Sequence, residues 1–373
     1  MGFNNPVEMN DNQYTTISIN GEVLNGKDLM FFCRKKLSDQ FLPTWERSMY
    51  QFIQDWVSPL LYINIKTSGS TGSPKWIEVN KEKMIRSALM TGQYFSLKKN
   101  DRTLLCLPVD YIAGKMMVVR SFVLGLNLIP MEPSGNPLEK THESYDFGAM
   151  TPMQISNILA KKEGGDKLNG IAKLIVGGAE INQGLLSKVG ALKNEIWQTY
   201  GMTETITHVA VRKLNSAAKS ENYHALPHVS FLKDNRDCLV INAPHLNEEK
   251  VITNDIVELI NDREFRFTGR YDNVINTGGI KISPEETESK LSPFIDDRFI
   301  ISGLPDDKLG QKLVLIIEGK GLKNINLEVL AETAGLSKYE TPKQVICSPS
   351  FPLTENGKII RHKVIEKFIL LQQ

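Results

Sequence analysis

The stretch Thr67-Ser68-Gly69-Ser70-Thr71-Gly72-Ser73-Pro74-Lys75 decides how this chain is read. An apolar run of strand length, Leu60–Ile65, leads into it, and Trp76-Ile77-Glu78-Val79 follows. Small residues let backbone N–H groups close around phosphate oxygens, hydroxyls add donors, and the terminal ammonium adds charge. Such a loop can hold a triphosphate. The kinase- or GTPase-type loop needs Gly, four residues, then Gly-Lys-Ser/Thr. Here Pro74 precedes the lysine and Trp76 follows it, so that pattern fails. The bland alternative is a flexible Ser/Gly turn, but a linker needs neither a leading strand nor Pro and Lys at its end.

Working outward, further strand-length runs occur at Thr103–Val109, Ala172–Val176 and Cys238–Ile241, bounded by Gly, Pro or Asn. Helical spacing appears between them, as in Met84, Ile85, Ala88 and Leu89 after Lys81. This alternation predicts an α/β architecture with much parallel sheet. Val257–Leu259 and Phe265–Phe267 predict a hairpin that closes a large domain over residues 1–269. Beyond it, Ser283, Pro284 and Glu286 form a capping-box pattern that opens a helix. Strands at Phe299–Ser302 and Leu313–Glu318 and a helix from Leu327 to Ala334 complete a small α+β domain over residues 270–373.

The 373 residues suit two domains. Lys plus Arg is 44 and Asp plus Glu is 43, so there is no general field for a polyanion and nucleic acid is a poor partner. Cys33, Cys106, Cys238 and Cys347 lie far apart without metal-ligand spacing, which suits a reducing cytoplasm. The start, MGFNNPVEMNDNQYT, lacks the basic and apolar regions of a signal peptide. No apolar run approaches the roughly 20 residues that span a bilayer, so no membrane insertion is expected.

The T-S-G-S-T-G-S-P-K loop resembles that of the acyl-adenylate-forming superfamily, which includes acyl-CoA synthetases, luciferases and nonribosomal adenylation domains. Three more segments match in the family's order. Tyr200-Gly201-Met202-Thr203-Glu204 resembles its Y-G-x-T-E segment. Gly269-Arg270-Tyr271-Asp272-Asn273, with Gly278-Gly279 and Glu285-Glu286, resembles its domain junction. Pro352-Leu353-Thr354-Glu355-Asn356-Gly357-Lys358-Ile359 resembles its C-terminal lysine motif. Alone, each has a plain structural reading: a core tyrosine, a solvated glutamate, a surface lysine. Four in register from residue 67 to 361 outweigh it.

The resemblance implies a large N-terminal domain of layered sheets and helices, shortened at its N-terminus, and a small mobile C-terminal lid. It implies that Thr67, Ser68, Gly69, Ser70, Thr71, Gly72 and Lys75 cover the ATP phosphates. Tyr200 and Gly201, with Gly177, Gly178 and Ala179, would form the adenine site. Thr203 would donate to the α-phosphate and Glu204 would hold Mg²⁺, a metal that takes few carboxylates plus phosphate oxygens. Asp255 would bind the ribose, although Asn254 replaces the usual Gly beside it, and Arg270 would reach the same region. Asp272 would be the hinge. Lys358 would bridge carboxylate and phosphate during adenylation. Gly278 and Gly279, with Lys281 nearby, would then admit the thiol of coenzyme A.

The acid is less legible. Tyr111, in Leu107-Pro108-Val109-Asp110-Tyr111-Ile112-Ala113-Gly114, matches a family position that walls the acyl pocket. The run from Thr253 to Lys281 is most similar to the 2-succinylbenzoate–CoA ligase branch of menaquinone synthesis. That acid carries a second carboxylate, for which His208, Arg120 and Lys115 are candidates, each with an ordinary packing or surface role as the alternative. Another aryl or short acyl acid, transfer to a carrier-protein thiol, and a nucleotide-binding pseudoenzyme stay open. So does the oligomeric state, a homodimer included.

Overall fold

Parallel strands dominate the first part of the chain. The computed structural model describes residues 14–66, 76–179, 181–215, 220–319, 325–354 and 359–369. It divides into two compact units: Met1–Gly178 with Val189–Ser230 and Asn242–Val251, and Ala179–Lys188 with Phe231–Ile241 and Ile252–Gln373.

In chain order the first unit contributes β1 (Thr16–Ile19), β2 (Glu22–Asn25), α1 (Gly26–Leu37), α2 (Thr44–Val57), β3 (Tyr62–Lys66), β4 (Trp76–Asn80), α3 (Lys81–Phe95) and β5 (Arg102–Leu105). Next come α4 (Ile112–Leu124), β6 (Asn127–Pro130), β7 (Tyr145–Met150), α5 (Pro152–Leu159), α6 (Gly164–Asn169) and β8 (Ile171–Val176). After α7 (Gln183–Gly190), which belongs mainly to the second unit, the first unit resumes with β9 (Glu195–Gly201), β10 (His208–Lys213) and β11 (Tyr223–Ala225). Its sheet runs β11-β10-β9-β8-β7-β5-β6-β1-β2. The pairs from β9 through β1 are parallel, with antiparallel partners at both ends. That is the α/β sheet the alternation predicts, and helices between parallel strands supply the crossovers such pairing requires.

Local chemistry sets the element ends. The apolar run Thr103–Val109 continues past its strand because β5 stops at Leu105. The Cys106 carbonyl is taken by the Gln154 side chain at 3.0 Å, and Pro108 has no N–H for a ladder. Thr151 and Gln154 form a full reciprocal capping box at α5. Helix α4 is buried from Gly114 to Phe122 and packs on α2, α3 and the sheet, as a helix apolar all round must. Among the described residues no helix is long and apolar enough to cross a membrane. Cys33, Cys106 and Cys238 are buried free thiols, and Cys347 is half-buried.

The second unit holds β12 (Ser230–Lys233), β13 (Cys238–Asn242), β14 (Val251–Asn261) and β15 (Glu264–Arg270), in that sheet order. β14 and β15 are the expected hairpin, with Val257 opposite Phe267 and Leu259 opposite Phe265. Then come β16 (Ile275–Thr277), β17 (Ile280–Ile282), α8 (Pro284–Leu291), β18 (Phe299–Asp306), β19 (Gly310–Glu318), α9 (Leu327–Thr333), β20 (Gln344–Ser348) and α10 (Arg361–Ile369). Ser283 caps α8 by accepting from the Glu286 N–H at 3.5 Å, the forward half of the expected capping box. The continuous run Leu313–Ile317 is explained by burial on both faces of β19. Leu313, Leu315 and Ile317 pack with Leu291 and Ile301, while Val314 and Ile316 pack with Ile300, Phe351 and Val364.

Candidate active site

The loop Thr67–Lys75 lies outside the described residues, but the residues that flank it, Lys66 and Trp76, do not. β3 and β4 pair antiparallel with Lys66 opposite Trp76, so a hairpin clamps the base of the loop. The Lys66 ammonium stands 5.9 Å from the Tyr111 ring centroid, which places Tyr111, at the start of α4, beside that base.

The next parts sit at the carboxyl end of the parallel strands, where open α/β sheets bind ligands. β8 and β9 run parallel with Val176 opposite Gln198. Gly177 follows β8 so closely against β9 that a Cβ there would lie 2.5 Å from Thr199 Oγ1. Gly178 takes φ +88°, a left-handed conformation that suits glycine. Tyr200 extends β9 past this point, its ring 5.6 Å from that of Tyr223. Ala179 begins the second unit.

Gly201 has a reason of its own. A Cβ at this residue would come 2.3 Å from the Thr207 carbonyl oxygen and 2.5 Å from His208 Cα, because β10 crosses directly beside it. Gly201→Ala is expected to lower stability by about 1–3 kcal/mol through overpacking, measured as a shift in urea midpoint at unchanged slope.

Between β9 and β10 the chain makes the tight turn Thr203–Thr205. The Thr205 hydroxyl oxygen accepts from the Met202 N–H at 3.0 Å and lies 2.7 Å from the Thr207 carbonyl it donates to. Ile206 then adopts φ +65°, ψ −53°, and the Thr207 N–H reaches back to the Thr205 carbonyl at 2.6 Å. This is a γ-turn of the strained hand, unusual for a β-branched residue. It leaves Glu204 exposed, with no hydrogen-bond or ion-pair partner for its carboxylate among the described residues. No group of three or more His, Cys, Asp or Glu that could hold a metal occurs among them either. A single free carboxylate fits Mg²⁺ carried on a nucleotide, not a metal held in a protein cage.

Two cations and an imidazole inside the first unit separate clearly. Lys115 is buried with its ammonium 4.6 Å from the Phe52 ring centroid, a packing arrangement that accounts for it. Arg120 is 2% exposed on α4. Its Nη1 lies 3.4 Å from Met117 Sδ, and its buried Nε has no hydrogen-bond partner among the described residues. Burial pulls this guanidinium down to about 10, so it is still a cation at neutral pH. His208, the first residue of β10, is also buried with an unpartnered Nε2. Its pKa lies well below the ordinary value, first through burial and then through Arg120, so the ring is neutral. A buried cation without a carboxylate partner, and a buried imidazole nitrogen without a hydrogen bond, are each costly.

The second unit gathers the remaining motif residues around β14 and β15. Asp255 is buried and lies opposite Arg270, whose Nη1 donates to its Oδ1 at 3.0 Å. Nη2 of Arg270 donates to Asp272 at 3.1 Å, and Asn254 Nδ2 reaches both Asp272 oxygens at 3.1 and 3.2 Å. Asn254, the departure from the family pattern, is therefore the residue that grips Asp272; its sequence gave no sign of that task. Of the two glutamates in the junction motif, Glu285 turns inward and accepts from Asn273 Nδ2 at 2.5 Å, while Glu286 stays exposed. Gly278 and Gly279, with φ +59° and +85°, form the two-residue turn between β16 and β17. Positive φ at both central positions is the primed hairpin turn, reason enough for two glycines. Exposed Lys281 follows. Lys358 lies outside the described residues. Around it, Leu353 bridges to Ile359 and the Ile360 N–H donates to the Pro352 carbonyl at 2.9 Å, closing the segment that carries it.

The family model for AMP-binding enzymes matches residues 54–250, more than half the chain, and the chain belongs to that family. A solved acyl-CoA synthetase (AMP-forming)/AMP-acid ligase II-like protein from Dyadobacter fermentans is 36% identical, covers 90% of this chain and 97% of its own, and superposes with a TM-score of 0.61. A 2-succinylbenzoate–CoA ligase of Listeria monocytogenes is 24% identical over 88% of this chain and 72% of that protein. The o-succinylbenzoate CoA synthetase of Bacillus subtilis, solved with its acyl-adenylate intermediate, shares the fold at a TM-score of 0.66 and 20% identity, over 81% of this chain and 68% of that one. The protein is an ATP-dependent, AMP-forming acid–CoA ligase.

Proposed function

We propose that the acid is 2-succinylbenzoate, and that its second carboxylate is taken up by Arg120 with His208 beside it. The observation that carries this reading is a buried guanidinium with an unpartnered Nε whose charge reaches a buried imidazole with an unpartnered Nε2. A carboxylate accepts from the Arg120 Nε–H, and from His208 in the tautomer that carries the proton on Nε2, and it neutralises the cation, which favours an acid with a second carboxylate. Tyr111 would wall the acyl pocket.

In the first half-reaction a carboxylate oxygen of the acid attacks the α-phosphorus of ATP, the bond to the β-phosphate oxygen breaks, and pyrophosphate leaves. The Thr67–Lys75 loop holds the leaving phosphates, Thr203 donates to the α-phosphate, and Lys358 draws the two anions together. Tyr200 stacks on adenine with Gly177–Ala179 at its edge, and Asp255, oriented by Arg270, accepts from the ribose hydroxyls. Glu204 would hold Mg²⁺, which would supply charge neutralisation on the phosphates. In the second half-reaction the thiol of coenzyme A, admitted past Gly278-Gly279, gives up its proton to solvent and attacks the acyl carbon, the acyl C–O bond to the phosphate breaks, and AMP departs. We assign residues 1–269 to the adenylating domain and 270–373 to a lid hinged at Asp272. Four free thiols suit action in a reducing cytoplasm.

The test is a panel of acids with ATP, Mg²⁺ and CoA. AMP and pyrophosphate should appear with 2-succinylbenzoate and at least about a hundredfold less with benzoate or a fatty acid, and thioester only when CoA is present. Equal turnover of a monocarboxylate would overturn the substrate, and ADP with phosphate would overturn the reaction class.

A further inference from the structure

Glu204 is held from outside its own turn. Asn247 Nδ2 donates to the Glu204 backbone carbonyl at 2.7 Å, while its Oδ1 accepts from Lys83 Nζ at 3.3 Å. The backbone of Asn247 is itself fixed, because its N–H and that of Leu246 both donate to the Ala243 carbonyl at 2.9 and 2.8 Å. A lysine can only donate and a carbonyl only accept, so the amide has one orientation that satisfies both neighbours. Four residues along α3 from Lys83, Ser87 Oγ meets Thr207 Oγ1 at 2.5 Å on the far side of the same turn. One face of α3 thus reaches the Thr203–Thr207 segment directly through Ser87 and, one helical turn earlier, through Lys83 by way of Asn247. That helix starts directly after β4, the strand that closes the base of the Thr67–Lys75 loop.

We propose that Asn247, oriented by Lys83, is a positioning residue that sets where Glu204 presents its carboxylate, and so governs the affinity for magnesium-bound ATP without touching the acid. The turn needs such support: Ile206 sits in a strained conformation, and strain persists only where surroundings over-determine it. Only an amide bridges a lysine and a carbonyl here. Aspartate at 247 would keep Lys83 but set an oxygen against the Glu204 carbonyl.

The inference rests on Glu204 as the Mg²⁺ ligand, and the experiment separates the two. The full-length protein is titrated with ATP at a series of Mg²⁺ concentrations, without acid or CoA. Glu204→Gln should remove most of the magnesium dependence of ATP binding. Asn247→Ala should weaken magnesium-bound ATP roughly fivefold to tenfold, Asn247→Asp by about tenfold or more, and Lys83→Met by about threefold. Binding of ATP without magnesium should change less than about twofold in all three. In turnover assays the KM for the acid should stay put while that for ATP rises. If Glu204→Gln leaves the magnesium dependence intact, the metal role of Glu204 falls and the proposal with it. If Glu204→Gln behaves as expected but Asn247→Ala and Asn247→Asp, both folded by thermal melting, bind like the parent, the positioning role alone is overturned.

Discussion

Arg120→Leu is expected to lower kcat/KM for 2-succinylbenzoate by ~10²–10³ while thermal unfolding stays unchanged or rises by a few degrees. The two halves of this result have one cause. In the free protein the guanidinium is buried, still charged, and paired with no carboxylate among the described residues. Replacing an unpaired buried ion by an apolar side chain of similar length removes a desolvation penalty. With the proposed dianionic acid, the same change would leave the second carboxylate without its cation, and truncating one partner of a buried charge pair costs about 2–5 kcal/mol. The check is steady-state kinetics with 2-succinylbenzoate and with an analogue whose succinyl carboxylate is an amide, alongside melting curves. Loss confined to the dianion supports the assignment. Equal loss for both acids with a lowered melting temperature would make Arg120 a packing residue.

That contrast shows where sequence reading stops. Arg120 and Lys115 are both basic residues on α4, and nothing in their spacing separates them. Only packing reveals that Phe52 accommodates Lys115 and that nothing described pairs with Arg120. The sheet was more legible, because strand-length apolar runs between helical spacings record burial directly, as β8 and the β14–β15 hairpin show. Its errors lie at ends decided by single hydrogen bonds, such as Gln154 capping the Cys106 carbonyl. The motifs pointed to Asp255, Arg270 and Glu285. They did not point to Asn254 and Asn247, whose work is done by amides reaching 18 and 43 residues along the chain. An asparagine in a loop carries no pattern by which such a reach can be read. The Thr67–Lys75 loop and Lys358 lie outside the described residues, so their roles rest on motif likeness.

Arg361→Met is expected to cost the second unit about 3–5 kcal/mol, more at pH 8 than at pH 5. Glu288 on α8 is the reason. One of its oxygens accepts from the Ile301 N–H at 2.6 Å, the other pairs with the Arg361 guanidinium, and Arg361 Nη1 donates to the Ile301 carbonyl at 3.2 Å. Carboxylate, guanidinium and one backbone residue of β18 therefore close a ring that joins α8, β18 and α10. Burial pushes the Glu288 carboxyl up to about 7 even though Arg361 pulls it down. A carboxyl raised in the folded state binds more protons there than when unfolded, so its contribution to stability is greatest at low pH and is lost as pH rises through the folded value. Without Arg361 that value climbs further. At pH 5 the variant buries a neutral acid and loses mainly hydrogen bonds, whereas at pH 8 it must bury an unpaired charge or take up a proton. Hydrogen exchange of the β18–β19 amides, at both pH values, measures the deficit in this unit directly. The double variant Glu288→Met, Arg361→Met should recover most of the loss and abolish its pH dependence. A deficit equal at pH 5 and 8 would mean that the charge is not what destabilises. The consequence reaches function because α10 begins two residues after Ile359, whose bridge to Leu353 closes the segment bearing Lys358. Loosening the ring frees the anchor of that segment, so adenylation should fall before the unit unfolds.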